Sequence, residues 1–166
     1  GVRGARLNEG DTMRALLFAA ALIGAGAAHA EPVTYTLDPA HTQVGFAIDR
    51  FGFNRVLGRF DDISGELILD EANPANSSVR VTIQIASISS GHATRDEHLR
   101  EERWLNAAQF PTMEFRSTNV QLTGERTAIV TGDLTLLGQT HPVTLNVTLN
   151  NIGPNPVNQR RIAGFS

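Results

Sequence analysis

From residue 33 onward the chain alternates apolar and polar side chains in short runs, the period of half-buried β-strands. Val33 to Leu37 predicts a first strand, closed by Asp38-Pro39. Val44, Phe46 and Ile48 alternate with Gln43, Ala47 and Asp49 in a second, and a third carries Val56 and Phe60 around Gly58. The loop between them keeps two phenylalanines, Phe51-Gly52-Phe53. A fourth strand spans Glu66 to Asp70 with Leu67 and Leu69 on one face. The clearest run is Ser78 to Ala86, where Val79, Val81, Ile83 and Ile85 face one way and Arg80, Thr82 and Gln84 the other. That pattern predicts an antiparallel strand with one solvated face.

Ser89 to Ala93 breaks the alternation. Thr94 then stands three residues before Glu97, capping-box spacing for a short helix over RDEHLREERWL, with an Asp96–Arg100 pair one turn apart. Phe110-Pro111 stops any longer helix. Further strands are predicted over Thr112–Ser117, Thr127–Leu137 with a bulge at Gly132, and Pro142–Asn150. A turn at Gln121–Arg126, a Gly/Pro/Asn loop over 151–159 and the start of one more strand at Arg160 complete the reading. Eight or nine short strands with one helical insertion predict an all-β antiparallel barrel or sandwich.

Three segments divide the chain. Residues 1–12 precede a start methionine and carry no period. Met13-Arg14 is followed by an apolar run to Ala28 and the small-x-small sequence Ala28-His29-Ala30, which predicts a secretory signal peptide cut after Ala30. The run is shorter than the roughly 20 residues a membrane-spanning helix needs. Residues 31–166 form the single domain. With three of 14 basic and two of 17 acidic residues ahead of the cut, the remaining domain is acidic, and nothing in its overall charge favours nucleic acid or an anionic membrane surface as a partner. Every basic residue is arginine, so Schiff-base chemistry is excluded. There is no cysteine, which removes disulfides, thiolate metal ligands and thiol nucleophiles.

Candidate chemistry is sparse. His98-x-x-Glu101 with His92 nearby is the best metal-like spacing, yet a zinc site needs at least three protein ligands in defined geometry. The reading favoured is a solvated charged face, with a metal-assisted hydrolase or isomerase as the alternative. His41 after Asp38-Pro39-Ala40 reads as a turn histidine, because no activated serine or oxyanion-hole motif accompanies it. No catalytic residue, metal ligand or cofactor is assigned. Four of the eight phenylalanines fall between residues 46 and 60. A small barrel can be filled by such side chains or can hold one ligand, and the pattern alone does not choose.

Several motifs carry a resemblance. DPAHTQVGFAIDRFGFNRVLGRF (38–60), Arg95-Asp96-x-His98-Leu99, NAAQFPTMEFR (106–116) and VTGDLT (130–135) followed by Gly138-x-Thr140-x-Pro142-Val143 are similar, in this order, to the YceI-like family of polyisoprenoid-binding, lipocalin-like periplasmic proteins. The resemblance implies an eight-stranded antiparallel lipocalin-like barrel whose last strands are missing from this chain, which stops at Ser166. It implies a non-catalytic, periplasmic carrier of a polyisoprenoid, isoprenoid quinone or similar long-chain lipid, without stable membrane insertion; a homodimer is compatible with it. The apolar lumen would then be lined by Val44, Phe46, Ile48, Phe51, Phe53, Phe60, Val81, Ile83, Ile85, Leu99, Trp104, Met113 and Phe115. Asp38, His41, Arg95 and Arg116 are the head-group candidates. The competing reading is a filled barrel that acts as an interaction or stress-response protein.

Overall fold

The computed structural model describes residues 30–166; the predicted signal peptide lies, but for Ala30, outside them. Strands β1 (Val33–Thr36), β2 (Val44–Arg50), β3 (Asn54–Phe60), β4 (Ile63–Leu69) and β5 (Ser78–Gln84) come first. A two-residue β6 (Ile88–Ser89) and the helix α1 (Ala93–Arg100) follow. Then come β7 (Thr112–Leu122), β8 (Thr127–Leu136), β9 (Gln139–Pro154) and β10 (Arg161–Phe165).

All pairings are antiparallel. Seven strands form one sheet in the order β1-β4-β5-β7-β8-β9-β10, and β2-β3-β6 form a second. The large sheet curls until its edge strands meet through side chains. Arg161 on β10 donates to both carboxylate oxygens of Glu71 at 2.8 Å and to the Tyr35 hydroxyl of β1 at 3.2 Å. The product is a nearly closed antiparallel barrel with one short helix, as the alternation predicts.

Register shows which face points inward. Ile63 opposes Ile83, Ile83 opposes Met113, Val81 opposes Phe115, and Phe115 opposes Leu134. In the smaller sheet Val44, Phe46 and Ile48 oppose Phe60, Gly58 and Val56. The two sets meet in a core of Phe60, Ile63, Ile83, Ile85 and Ile88, with Leu37, Val44, Phe46, Val81, Leu99, Leu105, Met113 and Leu136 packed on it. Each fully buried aliphatic side chain there contributes about 1.5–3 kcal/mol.

Two glycines make that packing possible. Phe46 lies across Gly58, where an added Cβ would come within 2.1 Å of its ring, and meets Phe60 at 5.7 Å between centroids. At Gly132 an added Cβ would lie 2.5 Å from the Phe115 ring. The sequence pattern places a bulge at Gly132, but the irregularity is on the opposite strand, between Ser117 and Asn119. The glycine is required there because the Arg116 carbonyl of the paired strand, 2.4 Å from an added Cβ, and the Phe115 ring both crowd it.

Other boundaries also differ. The alternation of β5 stops at Gln84, and Ile85 begins a 3₁₀ turn (Ile85–Ser87) that buries its side chain completely. At the start of the predicted break, Ile88–Ser89 form β6, which pairs with the end of β3. Strand β7 runs five residues past Ser117, because pairing with β8 continues to Leu122. Strand β9 runs through the predicted loop to Pro154, because β10 gives it a partner. The β8–β9 connection is tight, with Leu137 and Gly138 both at positive φ, the conformation of a two-residue hairpin turn.

The helix is shorter than predicted and capped differently. The residue before Ala93, His92, is the N-cap, its ring nitrogen accepting from the Arg95 N–H at 3.3 Å. Thr94 lies inside the first turn. After Arg100 the backbone turns extended at Glu101 and continues as hydrogen-bonded turns, including Leu105 N–H to Leu99 O at 3.0 Å.

Candidate functional site

The barrel interior has two unlike halves. In the packed half, Phe60, Ile83, Ile85 and Phe115 are buried, and Val44, Phe46, Val81, Leu99 and Met113 are half-buried. Eight of the predicted lining residues are therefore gathered into one apolar cluster or its rim, and Phe115 is buried opposite Val81 and Leu134. This half is filled by side chains.

A polar clasp seals it. The Asp96 carboxylate, at the start of α1, accepts from the Ser90 N–H at 2.8 Å and the Ser90 hydroxyl at 2.5 Å. Arg95 donates to the Ser90 hydroxyl and carbonyl, both at 2.7 Å. Arg100 donates to the carbonyls of Ala86 and Ile88 at 2.9 and 3.2 Å. The predicted Asp96–Arg100 contact is thus replaced: the carboxylate is satisfied by Ser90, and Arg100 ties the helix to the 3₁₀ turn and β6. Burial disfavours the charged carboxylate most. The two Ser90 hydrogen bonds, with the fields of Arg100 and Arg95, outweigh it and hold the Asp96 pKa below the ordinary carboxylate range. Arg95 is therefore bound into the scaffold. Nothing in the sequence marks Ser90 as its partner.

The open half is defined by inward-pointing residues that the described residues leave partly exposed. Continuing the inner-face register along β7, β8 and β9 brings Leu122 opposite Ala128, Val130 opposite Leu145, and Leu149 opposite Phe165. Val130 is buried, yet Leu122, Leu145 and Phe165 remain 49%, 44% and 40% exposed. Ile48 and Val33, on the same inner faces as Phe46 and Leu37, are 52% and 41% exposed. The result is an apolar trough whose floor is half-buried Val143, Val147 and Leu149. Sequence reasoning missed β9 and β10 as lining. The alternation Val143, Leu145, Val147, Leu149 was the available signal.

The remaining predicted residues are scattered. Phe51 and Phe53 stand almost fully exposed at the β2–β3 tip, and Trp104 is about half exposed, with Arg103 over its ring at 5.4 Å. Asp38 and His41 form a 2.6 Å pair inside their own exposed turn; the His41 hydrogen bond, then that from the Ala40 N–H, lowers the Asp38 pKa. Arg116 is on the outer face, beside Glu66, Ser78 and Arg80 in a shallow cleft of about 200 Å³. The structure does not bring Asp38, His41, Arg95 and Arg116 together. Among the described residues no three His, Asp or Glu side chains converge as a metal site would require. His92 is occupied by its capping role.

An antiparallel barrel with a solid end and an apolar trough at the other defines the class: a small barrel whose interior surface is only partly covered by the described residues. Comparison gives the family. Residues 35–166 match the YceI-like domain, and the chain belongs to that family. It is 41% identical to a UPF0312 protein of Photorhabdus laumondii over 154 residues, covering 93% of this chain and 79% of the relative. It is likewise 41% identical to Protein YceI of Escherichia coli O157:H7 over 150 residues, covering 90% and 78%. Among solved structures it is similar to the Campylobacter jejuni YCEI protein at 32% identity, TM-score 0.63, covering 79% of this chain and 76% of that one. It is also similar to Burkholderia cenocepacia BcnA, at 28% identity and TM-score 0.65, covering 70% and 72%.

Proposed function

We propose that this protein is a non-catalytic carrier that holds the apolar tail of a long-chain lipid, a polyisoprenoid or isoprenoid quinone being the favoured class, in the trough between β7–β10 and the inner face of β2. The observation that carries the reading is the exposure of Leu122, Leu145, Phe165 and Ile48 on faces that the strand register turns inward. Covering apolar surface contributes about 25 cal/mol per Å². A tail laid along the trough would supply that cover, and affinity should rise with tail length. The packed half sets the depth of the site. The reading agrees with the resemblance of the sequence motifs to lipid-binding barrels. The signal-peptide pattern of Met13–Ala30 supports a periplasmic location.

The test is displacement of a fluorescent fatty probe by prenyl alcohols of increasing length, with wild type and the Leu122→Asp/Leu145→Asp variant. Wild type should bind longer chains progressively more tightly, and the variant should lose this dependence while keeping its β-sheet circular dichroism. Equal affinity for short and long chains, or an unaltered variant, contradicts the proposal.

A further inference from the structure

Among the described residues the β2–β3 hairpin pairs with the remaining strands only at its base, where Phe60 and Arg59 meet β6. Exposure rises along it, from half-buried Val44 and Phe46 through Ile48 to Phe51 at 88% and Phe53 at 90%. Two phenylalanines this exposed at one tip are not the scattered apolar residues common on surfaces.

The tip is a built turn. The Gly52 N–H donates to the Asp49 carboxylate at 2.7 Å, and the Phe53 N–H to the Arg50 carbonyl at 2.9 Å. Phe51 and Gly52 sit at φ of 54° and 75°, and a phenylalanine is rarely held in that left-handed region. The aromatic pair is thus presented outward by hydrogen-bonded backbone. Directly behind it, Arg50 and Arg55 are exposed and take part in no ion pair among the described residues, in an otherwise acidic chain.

We propose that this tip is a peripheral docking element for an anionic lipid bilayer, with Phe51 and Phe53 entering the interface and Arg50 and Arg55 meeting the head groups. Aromatic side chains favour the boundary between head groups and acyl chains. Each arginine near an anionic leaflet adds to the attraction. A second copy fits the tip poorly. Two phenylalanines supply about 300–500 Å², less than the roughly 800 Å² per partner of a stable interface. A symmetric contact would also bring the arginine pairs together. Two side chains give shallow, reversible attachment, far from the hold of a transmembrane segment. The proposal goes beyond the carrier function and does not depend on it, since it concerns empty protein and a bare membrane.

Flotation of the ligand-free protein with phosphatidylcholine vesicles, with and without phosphatidylglycerol, tests it. Wild type should float with the mixed vesicles. Phe51→Ser/Phe53→Ser should lower partitioning about tenfold or more. Arg50→Gln/Arg55→Gln should remove the preference for phosphatidylglycerol. In a Trp104→Phe/Phe53→Trp protein, emission should shift to the blue on vesicle addition and be quenched by lipids labelled near the head group. Absence of flotation, or flotation indifferent to the phenylalanine substitutions, overturns the proposal. So would a concentration-dependent dimer, seen by light scattering without vesicles, that these substitutions abolish, because the occupant would then be a second copy.

Discussion

The two halves of the barrel interior are built from the same alternation yet end in different states. In one, Phe60, Ile63, Ile83, Ile85 and Ile88 are driven together by the crossing of the small sheet over the large one, and α1 is bolted down beside them through Ser90, Asp96 and the two arginines. In the other, Leu122, Leu145 and Phe165 lie on the inward faces of β7, β9 and β10 yet remain 49%, 44% and 40% exposed. Apolar character along a strand therefore says which side is inside. Whether that inside is core or binding surface depends on what lies across from it.

The contrast can be broken from the packed side first. Ile85→Ala should cost about 2–5 kcal/mol in urea unfolding, the range for truncating a large aliphatic side chain in a core. Leu145→Ala in the trough should cost far less, because the side chain is already 44% exposed. Equal losses would mean that the trough is ordinary core.

The clasp comes next. Asp96→Ala removes the acceptor of both Ser90 hydrogen bonds and should destabilise by about 1–3 kcal/mol, the cost of stranding buried donors. Because the folded state holds the Asp96 pKa below its unfolded value, its contribution is complete above the ordinary carboxylate range and is lost as pH falls through the folded pKa. Asp96→Asn should therefore flatten the acid side of a stability-against-pH profile and leave its slope at neutral pH unchanged. An unaltered acid limb would show that the clasp is not a source of stability.

Gly58→Ala probes the seat of Phe46. The added methyl would meet the ring at 2.1 Å, so the ring must move, for about 1–3 kcal/mol. The smallest effect is expected at the tip. Phe51→Ser and Phe53→Ser should shift stability by less than about 0.5 kcal/mol, as exposed substitutions do. A large loss there would mean that the hairpin packs back on the barrel in solution.

Much of the architecture is legible in the chain because alternation over five or more residues has one structural outcome. Val79, Val81 and Ile83 announce their strand and its face without help. Ile85 continues the same alternation but sits in a 3₁₀ turn, since its backbone N–H is taken by Pro111 rather than by a neighbouring strand. The Arg95-Asp96 pair looks like a solvent-facing helix start until Ser90, five residues upstream of Arg95, is folded against it. The extension of β9 past Asn150 depends on β10, and no local signal in Asn151-Ile152-Gly153-Pro154 announces it. Of the predicted lining, Val44, Phe46, Phe60, Val81, Ile83, Ile85, Leu99 and Met113 come together in the core cluster, Phe51, Phe53 and Trp104 stand exposed, and the inner faces of β9 and β10 are absent from it. Residue type alone points to Asp38, His41, Arg95 and Arg116 as head-group partners, and it is silent on whether an arginine is already engaged.

The most direct test of the carrier reading is native mass spectrometry of the protein purified from a bacterial periplasm, followed by organic extraction of whatever it carries, with wild type and Leu122→Asp/Leu145→Asp side by side. Wild type should carry a discrete adduct whose extract contains a prenyl chain or quinone, and the variant should lack it. A wild-type protein of clean apo mass that still fails to take up long prenyl chains added in solution would contradict the carrier reading.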